Sequence, residues 1–206
     1  MANMSSKEFF FIGISLSNNQ NNDSSVCVLD RNKKIVYLDK FYFTNDIELF
    51  LEENPYVKNS QMAVSIPHDN AILEGKWRIH CKNYKMLTDV FDINRNDWTN
   101  RLSDRCATVF SKLKKTGAIV YRFEVNLLRD AYSIGAHYLQ RTSLDCKSLQ
   151  SALKIKYGFD ELPENMLPAS SLEAILGAMF IYDRAKGLIN TKKIYEFGGV
   201  DVLNRV

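Results

Sequence analysis

The chain opens with an apolar run, residues 9–13, followed by a polar insert and a second apolar run, residues 26–29. The charged stretch Asp30-Arg31-Asn32-Lys33-Lys34 reads as a hairpin turn, and the β-branched and aromatic run at 35–43 reads as a third strand. An antiparallel meander is expected. Thr44-Asn45-Asp46 has the residue types of a helix cap, and Ile47, Leu49, Phe50 and Leu51 mark a short amphipathic helix stopped at Asn54-Pro55. Residues 61–66 then form a short, mostly apolar run ending at Pro67, the pattern of a buried strand able to pair parallel with the first.

Beyond Pro67 the pattern breaks. Residues 68–98 hold no clean period, whereas Leu102, Cys106, Val109, Phe110 and Leu113 fall at helical spacing in a segment, 97–116, that Gly117 stops. Residues 118–125 read as a strand, 126–137 as a turn into a helix, and 148–157 as a helix ending at Gly158. After a proline-bounded loop, 163–168, Ser170 or Ser171 is expected to cap a strongly apolar helix through Ala185. The whole is an α/β pattern: one domain over 1–206, with an irregular and helical insert near 68–117.

Composition changes this picture little. Lys and Arg total 27 against 24 Asp and Glu, a net charge of +3 that tolerates a nucleic-acid partner without arguing for one. Apolar runs such as 174–182 fall short of the roughly 20 residues that span a bilayer. The polar first residues lack the pattern of a secretory signal, so a cytoplasmic location without membrane association is expected. Cys27, Cys81, Cys106 and Cys146 show no ligand spacing and read as reduced structural thiols.

Four short stretches carry the chemistry. Gly13-Ile14-Ser15 ends the first strand, Val64-Ser65-Ile66-Pro67 ends the fourth, Phe123-Glu124-Val125 ends the next, and Ser170-Ser171-Leu172-Glu173-Ala174 opens the last long helix. With the strand order, they resemble the RNase H-like superfamily, and in particular its predicted nucleases labelled domain of unknown function 429 (DUF429). That family carries Gly-Ile-Asp, Ile-Asp-x-Pro, Glu-Val and Asp-Ala-x-Asp-Ala at these places. Gly75 to Cys81 resembles a further family stretch containing Gly, Arg and Cys. The resemblance implies an RNase H-like mixed sheet flanked by helices, with a cleft where acids hold Mg²⁺ or Mn²⁺.

Carboxylates suit such ions because Mg²⁺ prefers hard oxygen donors, and two ions can activate a water and stabilise a departing phosphodiester oxygen. Here Ser15, Ser65 and Ser170 stand at acidic positions of the family, while Glu124 and Glu173 remain acidic. The resemblance therefore implies a relative with an eroded acidic site, impaired in catalysis and binding nucleic acid or nucleotide. Against it stands an active Mg²⁺- or Mn²⁺-dependent nuclease or phosphodiesterase, with Glu124, Glu173 and a displaced acid such as Asp69 as catalytic groups. Glu74 or Asp23 could serve as that acid, and a shifted alignment would bring in Asp30 or Asp39. A non-enzymatic interaction scaffold is the third reading.

Arg78, His80, Lys82 and Lys85, interleaved with Trp77 and Tyr84, mix backbone charge with stacking surface, which is what single-stranded nucleic acid requires. His68 follows a strand end, where ligand sites gather in α/β sheets, but reads more simply as a loop histidine. Ser15 lacks the second glycine of a nucleophile elbow, so serine hydrolysis is not expected.

Overall fold

A computed structural model describes residues 9–17, 23–66, 109, 112–113, 115–134, 142–197 and 200–206. Among them is a seven-stranded sheet of order β3-β2-β1-β4-β5-β7-β6. Its strands are β1 (Phe10–Ser15), β2 (Ser24–Leu29), β3 (Ile35–Phe41), β4 (Ser60–Ile66), β5 (Ile119–Glu124), β6 (Thr191–Phe197) and β7 (Val200–Arg205). The helices are α1 (Thr44–Glu53), α2 (Val125–Ala131), α3 (Ser143–Ser151) and α4 (Ala169–Ala185), and α3 runs on through a π-helical turn, Ala152–Lys156.

The expected meander is present, with β1 antiparallel to β2 and β2 to β3, and β4 lies parallel to β1 as its apolar run implied. Strand alternation divides the core. Ile12, Ile14, Val26, Val28, Met62 and Val64 pack on one face with Ile47 and Phe50 of α1. Phe11, Cys27, Leu29, Ala63 and Phe123 pack on the other against α4.

Helix α4 is apolar nearly all round because it is buried nearly all round, lying across β1, β2 and β4. The approach to β1 is close enough to require glycine. A Cβ on Gly13 would lie 1.9 Å from the Ala174 carbonyl oxygen and 2.3 Å from the Ala178 nitrogen.

Several boundaries differ from the sequence reading. Helix α4 starts at Ala169 after Pro168, so Ser170 and Ser171 lie within its first turn and are turned to other partners. Helix α2 follows β5 at once, with no intervening turn, because Val125 and Leu128 are drawn into the core. Thr142 caps α3 by accepting the Asp145 amide at 3.2 Å, which starts that helix five residues earlier than the apolar period showed. The β6–β7 pair extends the sheet beyond β5 and was absent from the sequence reading. The expected irregular region 68–98 and most of the helix at 97–116 lie outside the described residues.

Candidate functional site

Strands β1 and β4 run parallel with Ile14 opposite Val64, so their ends bring Ser15 and Ser65 side by side. The Leu16 amide donates to Ser65 Oγ at 3.1 Å and ties the two ends together. On the other side of β1, Ser15 is paired with Ser25 of β2. Above all three sits the first part of α4, held down by the contact at Gly13.

That placement sets two hydrogen-bonded groups. Ser15 Oγ donates to Glu173 Oε2 at 2.7 Å, and both residues are buried, at 1% and 4% exposure. Ser25 Oγ donates to Ser170 Oγ at 3.0 Å and lies 3.1 Å from Ser171 Oγ, while Ser170 Oγ donates to Asp23 Oδ2 at 2.6 Å. A hydroxyl has one proton, so the only order that satisfies these contacts runs from Ser171 to Ser25 to Ser170 to Asp23. Each group therefore ends on a carboxylate. Beside them Ser17 and Ser24 are also in hydrogen-bond contact, Oγ to Oγ at 3.2 Å.

Glu173 is the fifth residue of α4, beyond the first turn where the helix dipole acts. The helix terminus is therefore a weak explanation of this buried acid, whereas the Ser15 hydroxyl donates to it directly. Replacing Ser15 by Ala removes that donor from a buried carboxylate and is expected to cost about 1–3 kcal/mol. Urea unfolding would read this as a lower midpoint, and the loss should be much reduced when Glu173 is already Gln.

Glu124 has a different setting. It is the last residue of β5, immediately before α2, and is 9% exposed. Alternation along β5 sends Phe123 to the α4 face and Arg122 and Glu124 to the other. Glu173, by contrast, belongs to α4, the helix that covers the Phe123 face. Arg122 is fully buried, and its Nη2 donates to the Ser65 carbonyl oxygen at 3.4 Å. Sequence reading passed over it, although an arginine inside the apolar run 119–123 was a visible signal. Ser25 was also missed, because a small polar residue at a strand start carries no signal of its own.

Asp69, Arg78, His80, Lys82 and Lys85 lie outside the described residues, as do Glu74, His68 and Trp77. Among the described residues no group of three His, Cys, Asp or Glu side chains could hold a metal ion. The donor set around Ser15 is made of hydroxyls with Glu173 and Asp23 at its ends, and this does not fit a two-ion carboxylate site. Cys27 is buried beneath the site face, and its burial pushes the thiol pKa far up, which makes it a packing residue rather than a nucleophile. No helix among the described residues is long and apolar enough to cross a membrane.

No protein-family model and no curated protein sequence matches the chain. Solved structures do. RuvC of T. thermophilus in complex with a Holliday junction substrate is similar over 87% of this chain and 96% of that one, with a TM-score of 0.53 and 12% identity. A second Thermus thermophilus RuvC structure is similar over 86% and 96%, with a TM-score of 0.52 and 11% identity. At such identities the likeness is one of fold, and the fold is RNase H-like.

Proposed function

We propose that this chain is a nucleic-acid-binding relative of the RNase H-like nucleases that has lost most or all metal-dependent cleavage, and that it belongs with the DUF429 proteins. The observation that carries the reading is the hydrogen bond from Ser15 to Glu173. A residue that would have to be a carboxylate to share a metal with Glu173 is a neutral donor to it instead. Ser65 beside it and Ser170 above it change the chemistry in the same direction.

Binding draws support from the fold. The RuvC neighbour was solved on a Holliday junction, and phosphate contacts from Lys and Arg need no metal ion. In this reading Arg78, His80, Lys82 and Lys85 supply the phosphate and base contacts. The competing reading is a working Mg²⁺- or Mn²⁺-dependent nuclease built from Glu124, Glu173 and Asp69.

The test combines mobility shift and cleavage on a four-way DNA junction and a single-stranded oligonucleotide, with Mn²⁺ or EDTA. Binding that survives EDTA and weakens steeply with salt, without cleavage, is the expected result. Manganese-dependent cleavage abolished by Glu173→Gln would establish the active nuclease instead. Absence of any nucleic-acid binding would leave the interaction scaffold.

A further inference from the structure

A groove remains between β3 and α1, on the sheet face opposite α4. Its floor is aromatic: the rings of Tyr37 and Phe50 lie 5.3 Å apart, and those of Phe41 and Phe50 5.8 Å apart. Its walls carry Asp39, Asp46 and Glu53 against the single lysine Lys40, a local excess of two negative charges in a chain whose net charge is +3. The volume is about 510 Å³, within the range of ligand clefts. A second hollow of about 290 Å³, lined by Phe43, Thr44, Asn45 and Asp46, shares Asp46 with it.

We propose that this groove docks a basic, apolar-anchored peptide segment of a protein partner, with an Arg or Lys over the Tyr37–Phe50 rings between Asp39 and Glu53. The charge selects the occupant. Nucleic acid would be repelled by the three carboxylates, whereas a guanidinium or ammonium gains both from them and from the ring faces. The apolar rim asks for more than an amine: Leu49, which lines the groove, and Phe43, which lines the second hollow, are 52% and 58% exposed. An extended peptide can cover them while its basic side chain fills the groove.

Strand addition is not the mode. β3 is an edge strand, but Glu161 Oε1 accepts the Ile35 amide at 3.2 Å and Asp39 Oδ1 accepts the Lys40 amide at 2.8 Å. Recognition therefore falls to side chains. The proposal stands apart from the nucleic-acid reading, since it uses neither Ser15 nor Glu173.

The test is fluorescence anisotropy of the full chain with a labelled peptide of alternating Arg and Leu, beside a Glu/Leu peptide and an oligothymidylate. The groove variant carries Glu53→Lys and Leu49→Ser, both at exposed positions, and a lysine at the end of α1 suits the helix dipole, so folding is kept and thermal unfolding checks it. Saturable binding of the Arg/Leu peptide alone, weakened at least tenfold in the groove variant and unchanged by Glu173→Gln, is expected. No saturable binding, equal binding by the groove variant, or displacement of the peptide by oligothymidylate would overturn the proposal.

Discussion

Gly13→Ala is expected to lower the melting temperature by about 6–12 °C, a larger loss than one methyl group ordinarily brings. The reason is what that methyl meets. It would lie 1.9 Å from the Ala174 carbonyl oxygen and 2.3 Å from the Ala178 nitrogen, and both atoms belong to the backbone of a buried helix. No rotamer can relieve the clash, so α4 must lift off β1. Overpacking commonly costs 1–3 kcal/mol, and a backbone clash belongs at or above the top of that range, about 3 kcal/mol. For a chain of this size each kcal/mol is worth roughly 2–4 °C. Gly177→Ala offers the contrast. Its Cβ would meet the Phe123 ring at 2.6 Å, but the ring can tilt and a helix interior favours Ala over Gly, so a smaller loss is expected. Thermal unfolding followed by circular dichroism reads both. A Gly13→Ala protein melting within about 2 °C of the parent would mean that α4 does not lie this close to β1.

The same contact explains which parts of the molecule could be read in advance. The meander and the parallel return of β4 were legible because β-branched and aromatic runs, a charged turn and a terminating proline are local signals. Helix α4 was legible for its length and apolarity, but its start was not: serine is a common cap, and only the packed structure shows Ser170 donating to Asp23 and Ser171 facing Ser25. The β6–β7 pair escaped for a different reason. Lys192, Lys193 and Glu196 dilute the alternation of its first strand, although Gly198-Gly199 between the two runs was a hairpin signal available to be read.

The site was half legible. Ser15, Ser65, Glu124, Glu173 and Ser170 were picked out by likeness to a family pattern, and the ends of β1, β4 and α4 do bring Ser15, Ser65, Glu173 and Ser170 close together. What the pattern could not give is direction. The opposite faces taken by Phe123 and Glu124 follow from strand phase, and the hydroxyl order from Ser171 to Asp23 follows from contacts between segments more than a hundred residues apart. Arg122 shows the limit from the other side, since burial of its charge depends on strands that come together only in the sheet.

Ser15→Asp is expected to destabilise the metal-free protein by about 3–5 kcal/mol at neutral pH, the range for a buried charge left without compensation. The substitution turns a donor into a second carboxylate within contact distance of Glu173, where both groups are nearly out of water. Two such acids cannot both ionise cheaply, so one is held protonated with its pKa raised. The sign of the pH dependence follows. A carboxyl whose folded pKa is raised contributes stability that is complete below its unfolded pKa and is lost as pH rises through the folded value. The variant should therefore approach the parent in mildly acidic buffer and fall away toward neutrality. Divalent metal supplies the missing positive charge. Mn²⁺ at about a hundred times its dissociation constant would return roughly 2.7 kcal/mol, visible as a concentration-dependent rise in melting temperature. Adding Glu173→Gln to the variant separates the causes: it removes the repulsion, so stability should recover without metal and the response to Mn²⁺ should vanish. A variant as stable as the parent would mean that position 15 does not face Glu173. A destabilised variant that Mn²⁺ fails to restore would mean that a carboxylate at position 15 is not enough to make a metal site with Glu173, and would count against the proposed relation to metal-dependent nucleases.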